Sequence, residues 1–271
     1  MAIYKNDIVL IAGSGDFAYE AANFLKSKGR LKHIILLSKN YKVSKLYKNI
    51  ISDFNIRDIE NLIIFLKKIS ISKVLIIGYV QLPPISEFKL SLSSKLILSK
   101  NFFLNNINNQ SKLLKKFIES KKLKLLSQKN VFESFLINYS DQQLRKEHKN
   151  IYKYILKNST VIRKIFSLNL SQSLIMDGDR IITIEDIFGT DKMIKKFRNI
   201  NKQFQNLIFI KSIKKNQISE IDFPVIGNQT LELLIKFNFK AICLLNKNIL
   251  IANKISFLEK INKSKLSLIV I

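Results

Sequence analysis

Cysteine occurs once, at Cys243, and histidine twice, at His33 and His148, in a chain of 271 residues. A lone thiol cannot close an internal disulfide, and so few imidazoles and thiols form no His/Cys cluster with zinc-ligand spacing. No serine, histidine and acid fall in an order that suggests a nucleophilic triad. Cys243, inside an apolar run, reads as core. His33 follows Lys32 at a strand entrance, His148 lies in a charged helix or linker, and both read as surface positions. Long apolar runs are also missing: none approaches the roughly 18 to 20 residues of a membrane span. The start, Met1-Ala2-Ile3-Tyr4-Lys5-Asn6-Asp7-Ile8, lacks the three regions of a signal peptide. Together with the single cysteine, this makes a cytoplasmic protein the expectation, either soluble or docked on a membrane surface.

Acidic residues are scarce. Against 46 Lys and Arg stand 20 Asp and Glu, a formal net charge of +26. A basic chain can serve nucleic acid, an anionic membrane surface or an anionic substrate. Here the lysines run the whole length among abundant Asn, Ile and Phe, a mixture that AT-rich coding would enforce. They form no stripe, arm or recognisable nucleic-acid module, so a nucleic-acid partner is not expected.

What is present is a globular mixture, 47% hydrophobic and 24% charged, long enough for two domains. Ile8-Val9-Leu10-Ile11-Ala12 reads as a parallel strand buried on both faces. Gly13-Ser14-Gly15 then leads into a helical face of Ala18, Ala21, Ala22, Phe24 and Leu25 that ends at Gly29. Strand, Gly-rich turn and helix make the first half of a βαβ unit, whose helix start can hold a phosphate. Gly13, Ser14 and Gly15 therefore either line a ligand cleft or satisfy a tight turn. Further strands are expected at His33 to Leu37 and Lys73 to Gly78, with a helix from Asp58 to Lys68, so the turns after Ala12 and Ile77 should share one edge of a cleft. Ser91 to about Lys164 looks helical with one short strand near Leu123 to Leu126, and Asn138 to Asn150 is the best linker candidate.

The expected class is α/β: a Rossmann-like domain over residues 1–135 and a second α/β domain over 136–271, with a ligand cleft between them. In the second domain, Asp177-Gly178-Asp179 joins two apolar runs as a β-hairpin. A helix from Asp191 to Arg198, a strand at Leu207 to Lys211, a helix from Leu231, and alternating strands and a helix to Ile271 should follow. Two acids mark its turns. Thr190 and Asp191 sit where a helix N-cap is expected after Gly189, and Asp222 precedes Phe223-Pro224 and the helix-opening Gly227. Two carboxylates at two helix entrances suit a metal ion and a phosphorylated ligand. On the residues alone, Asp191 as a helix cap and Asp222 as a turn acid are the readings to prefer.

Several stretches, in order, resemble a known family. Ile11-Ala12-Gly13-Ser14-Gly15 resembles its opening Ile-Ala-Gly-x-Gly, and Gly189-Thr190-Asp191-Lys192-Met193 its Gly-Thr-Asp-x-Met. Lys211 to Gln217 is similar to its Lys-x-x-Lys-Pro-x-Gln, and Asp222 to Thr230 to its Asp-Leu-Pro-Thr-Ile-Gly-x-x-Thr. On these the chain resembles the UDP-2,3-diacylglucosamine pyrophosphatases of the lipid A pathway, of the LpxI type. It departs from them at Phe188 (Glu in the family), Glu220 (Arg), Leu82 (Arg), Asn169 to Ser173 and Asn109 to Ser111.

The resemblance implies hydrolysis of UDP-2,3-diacylglucosamine to UMP and 2,3-diacylglucosamine 1-phosphate, lipid X, by water attack at the α-phosphorus. It implies Mg²⁺ or Mn²⁺ and work at the inner-membrane surface; a homodimer is compatible with the sequence, which does not fix the oligomeric state. Asp222 and Asp191 would be the metal or water-positioning pair, with Lys214, and Lys211 as an alternative, on phosphate. Gly189, Gln217, Gly227 and Thr230 fall in the substrate-binding motifs. Gln172 and Thr190 would bond uracil or ribose, or else local backbone. Phe102, Phe103, Leu104 and Ile107 would line an acyl cavity or pack as plain core. The losses at Asn109 to Ser111 leave a second reading, a non-catalytic binder of lipid X or a nucleotide sugar.

Overall fold

Five parallel strands organise the first half of the chain in a computed structural model that describes residues 6–15, 17–38, 41–78, 83–96, 110–168, 171–186, 188–213 except 201–203, 218–245 and 248–271. These strands are β1 (Ile8–Ala12), β2 (Leu31–Leu36), β3 (Ile51–Asp53), β4 (Lys73–Ile77) and β5 (Lys124–Leu125). Their order is β3-β2-β1-β4-β5, and every pairing is parallel. The apolar runs in β1 and β4 are buried because helices cover the sheet. Ile11, Val74 and Ile76 pack with Leu62 and Leu66 of the helix Ile59–Lys68 and Phe117 of the helix Gln110–Ser120. The helix Phe17–Ser27 buries Ala18, Ala21 and Ala22, and its Phe17 meets the Phe132 ring edge-on at 5.2 Å between centroids. Strand β3 was not expected from the sequence; three residues carry too little periodicity to stand out.

The strand order reverses direction between β1 and β4, which in a doubly wound sheet opens a crevice at the carboxyl ends of those strands. Gly13 to Gly15 leave β1 there, and Gly78 leaves β4. Gly78 has φ +83°, and a Cβ on it would lie 2.6 Å from the Ser14 carbonyl oxygen. Glycine is required twice over, by its dihedral and by the approach of two backbones.

The chain forms two compact units, one of Met1–Phe132 with Ile218–Asp222, the other of Glu133–Gln217 with Phe223–Ile271. The first unit is thus discontinuous in sequence. The second holds a mixed sheet of β6 (Ser173–Asp177), β7 (Arg180–Ile184), β8 (Leu207–Lys211), β10 (Ala241–Leu244) and β12 (Ser267–Val270), ordered β12-β10-β8-β6-β7. Strands β8, β10 and β12 are parallel, while β6 runs antiparallel to β8 and to its hairpin partner β7. A separate pair joins β9 (Val225–Ile226) to β11 (Leu250–Ile251). Alternation divides the core in two. Ile175, Phe209, Ile242 and Leu268 meet the helices Thr190–Ile200, Asn228–Lys236 and Lys254–Lys263, whereas Leu174, Ile208, Cys243 and Ile269 meet Lys149–Lys157 and Ser159–Ser167.

Two sequence expectations are corrected. The stretch Asn138 to Asn150 is not a loose linker but a strap within the second unit. Gln143 exchanges backbone hydrogen bonds with Leu268, and the Arg145 guanidinium donates to the carbonyls of Ile261, Asn262 and Ser264 at 2.8 to 3.0 Å. Arg145 thereby satisfies the exposed end of the helix Lys254–Lys263. His148 is not a surface residue: it is 8% exposed and shares a 2.9 Å hydrogen bond with Ser267, and burial pushes its pKa down. His33 is half-buried, hydrogen-bonded to Ser52. Among the described residues no helix is long and apolar enough to cross a membrane.

Gly78→Ala is expected to destabilise the protein by about 3 kcal/mol, strain plus displaced backbone. Gly178→Ala, at φ +57° with nothing within 4 Å of the added carbon, should cost about 1 kcal/mol. Urea unfolding of both variants checks the difference; equal losses would mean that the approach to Ser14 adds nothing.

Candidate functional site

In the first unit, an apolar hollow of about 140 Å³ lies at the carboxyl end of the sheet. Ile11 and Ile76 form its floor, Ile59, Leu62, Leu114 and Ile118 its helical walls, and Gly78 and Asp222 stand at its lining. Asp222 arrives there through a short turn held at each residue. Gln128 N–H donates to the Ser219 carbonyl at 2.8 Å, and the Ser127 and Ser219 hydroxyls bond at 3.0 Å. Glu220 pairs with Lys115 at 2.8 Å, Ile221 is buried in the core, and Asp222 N–H donates to the Ile218 carbonyl at 2.9 Å. A carboxylate is therefore fixed against an oily surface, an arrangement suited to a ligand with a polar head and an apolar body. Phe102, Phe103, Leu104 and Ile107, expected from the sequence to line such a cavity or to pack as plain core, lie outside the described residues, and the walls here come from other positions.

Glu220 stands where the resembled family carries Arg, and its role is to tether the turn. Burial works against its charge, but the Lys115 hydrogen bond, backbone N–H, Lys115 charge and Ser219 hydroxyl outweigh that and hold the carboxyl below its usual range. The same bond raises the pKa of Lys115.

In the second unit, the loop after β7 and the ends of β6 and β8 gather a polar cluster. The Glu185 carboxylate accepts the Thr190 hydroxyl on one oxygen at 2.8 Å and the Ser173 hydroxyl on the other at 2.9 Å. The Lys211 ammonium donates to those same two hydroxyl oxygens, at 3.4 Å each, and the two oxygens lie 3.1 Å apart. Ser173 is fully buried and Lys211 is 4% exposed. Ser171 ties the cluster to the chain: its hydroxyl donates to the Ser173 carbonyl at 2.5 Å and accepts the Glu185 N–H at 3.1 Å. Among the described residues, Lys211 has no carboxylate within ion-pair distance; the Glu185 carboxylate balances it across the two shared hydroxyls. An ammonium with an N–H left to give can donate to an anionic oxygen.

The neighbouring helix corrects a further expectation. Thr190 is not the N-cap; Gly189, at φ +90°, fills that place, its carbonyl accepting Met193 N–H at 3.1 Å. Thr190 opens the helix with its hydroxyl turned to Glu185. Asp191 is no cap either, since its Oδ1 accepts the Thr230 hydroxyl at 2.6 Å. Gly227 is the N-cap residue of the helix that carries Thr230. Phe188 is 61% exposed, with the Lys192 ammonium over its ring. Gln172 accepts Ser212 N–H on its backbone carbonyl.

The structure thus brings Thr190 to Lys211, Asp191 to Thr230, and the turn of Gly13 and Ser14 to Gly78. Asp222 belongs to the first unit and Asp191 to the second. Lys214 and Gln217 lie outside the described residues. Glu185 and Ser173 were missed as members of a site, because nothing in their local sequence signals a contact across two strands and a loop. Among the described residues no group of three or more His, Cys, Asp or Glu is assembled as a metal site.

Comparison with known families gives two matches: a model of the LpxI N-terminal domain over residues 7–135 and one of the LpxI C-terminal domain over residues 140–269. No curated protein matches the chain.

The Lys115–Glu220 pair yields a signed pH dependence. A lowered carboxyl pKa adds stability that is full above the usual glutamate value of 4.5 and is lost as pH falls below it. Glu220→Gln should therefore be less stable than the parent by about 1 kcal/mol near neutral pH and indistinguishable from it in strong acid. Urea titrations across pH check this; a gap that persists in acid contradicts it.

Proposed function

We propose a function from one premise: the chain belongs to the LpxI family. The reading is hydrolysis of UDP-2,3-diacylglucosamine to UMP and lipid X by water attack at the α-phosphorus, in lipid A biosynthesis. The observation that carries it is Asp222, held by a four-point turn against an apolar hollow, in the motif the family resemblance marks as catalytic. An acylated sugar phosphate has the matching duality, tails for the oily surface and a pyrophosphate for polar groups. The Lys211 cluster supports the second need, a desolvated cation for phosphate oxygen. Thr190 and Gln172 are assigned to substrate binding with Gly189, Gly227 and Thr230, and Lys214 and Gln217 follow from their motif alone. Gly13, Ser14 and Gly15 border the crevice at the head of β1.

Asp222 and Asp191 are assigned to hold Mg²⁺ or Mn²⁺. The donor set fits a hard cation that takes one or two carboxylates and completes its shell with phosphate oxygens and water. On Asp191 the Thr230 hydroxyl donates to Oδ1 at 2.6 Å and so holds the carboxylate in place. A bound cation would neutralise charge growing on the phosphoryl oxygens. The chain's own part is to orient the attacking water through Asp222 and to hold the pyrophosphate on its lysines. The reading places the protein in the cytoplasm on the inner-membrane surface, where a net charge of +26 favours anionic lipid.

Purified protein with UDP-2,3-diacylglucosamine and Mg²⁺ or Mn²⁺ is expected to release UMP, and Asp222→Ala to slow release on the order of a hundredfold or more. No UMP from either protein would refute the hydrolase. If native mass spectrometry then finds lipid X or the nucleotide sugar bound, the non-catalytic binder suggested by the departures at Asn109 to Ser111 takes its place.

A further inference from the structure

We propose that Glu185 is a positioning residue that acts through the Ser173 and Thr190 hydroxyls to aim the Lys211 ammonium at an anionic oxygen of the ligand. This rests on the hydrolase reading for the ligand's identity, but the argument for Glu185 is geometric.

A carboxylate only accepts hydrogen bonds, and a hydroxyl has one proton to give. Both Glu185 oxygens are engaged by hydroxyls, at 2.8 and 2.9 Å. A charged acceptor outcompetes the neutral oxygen 3.1 Å away, so each proton points to Glu185 rather than to the other hydroxyl. The lone pairs of both oxygens then face Lys211, whose ammonium lies 3.4 Å from each. Two of its three N–H groups are engaged by this pair, and the direction of the third is set by where the first two point. The long Lys211 side chain, 4% exposed, is held by hydroxyl dipoles whose orientation originates in Glu185.

Glutamine at 185 has nearly the same shape but offers one acceptor and one NH₂ group. The hydroxyl facing the amide donor must accept from it and turn its own proton away, toward the other hydroxyl, and one support of the ammonium is weakened. The substitution also removes a negative charge, which by itself would favour an anion, so weaker anion binding in this variant can arise only from the disturbed Lys211 geometry.

The test is a double-mutant cycle on binding of inorganic pyrophosphate and UMP, measured by calorimetry without turnover, with kcat and KM measured in parallel. Glu185→Gln is expected to weaken pyrophosphate binding about tenfold, the size of a lost charge-assisted hydrogen bond. It should raise KM more than it lowers kcat. In a Lys211→Met background the same substitution should cause no loss of affinity, because the residue it acts through is gone and only the removal of a negative charge remains. Thr190→Val, which removes one hydroxyl of the relay, should lower pyrophosphate affinity as Glu185→Gln does. If Glu185→Gln fails to fold, Ser173→Ala cuts the same relay and takes its place in the cycle. Equal losses in both backgrounds, or no loss in the parent, would overturn the proposal. Turnover by the parent with an unaffected Glu185→Gln variant would sink this inference and leave the hydrolase standing. Neither binding nor turnover by the parent would sink both.

Discussion

The meeting of two backbones at the head of the first sheet is the constraint on which its site depends. With no side chain at Gly78, the loop leaving β4 can lie against the Ser14 carbonyl in the loop leaving β1. At the carboxyl ends of the same two strands lies the apolar hollow lined by Ile11 and Ile76. A side chain at residue 78 would collide with the Ser14 carbonyl and displace one of the two turns that border it. Sheet order supplies the opening, and glycine lets the two turns meet there.

Electrostatics in the two halves follow opposite plans. Near Asp222, the charge of Glu220 is spent on structure: Lys115 neutralises it and the turn is pinned. Near Thr190, the charge of Lys211 is kept out of direct ion pairing among the described residues and is balanced through hydroxyls. A direct salt bridge would spend the ammonium's N–H groups on a charged acceptor, whereas here hydroxyls stand between Lys211 and Glu185 and the ammonium keeps an N–H for a ligand.

Much of the architecture was legible in the sequence, because buried parallel strands are uninterrupted apolar runs. Ile8 to Ala12, Lys73 to Ile77 and Leu207 to Lys211 needed no tertiary information, and the Asp-Gly turn identified the β6–β7 hairpin. The failures have a common cause. Thr190 looked like a cap and its hydroxyl is engaged elsewhere; His148 looked solvated and packs on Ser267; Asn138 to Asn150 looked like a tether and Arg145 binds a helix end. In each case a polar side chain found a partner distant in sequence, and no local pattern records that. Glu185 and Ser173 escaped notice for the same reason, although their hydrogen-bond partners Thr190 and Lys211 lie in the family motifs.

The discontinuity of the first unit bears on how the chain is made. A ribosome that has released the first 135 residues has supplied the five strands of that sheet, but not Ile221, which seals its core, nor Glu220, which Lys115 awaits. Until residue 222 emerges, the nascent unit carries an unfilled apolar notch beside an unneutralised lysine. Its final consolidation is therefore a late event in synthesis, delayed until most of the second unit has been translated.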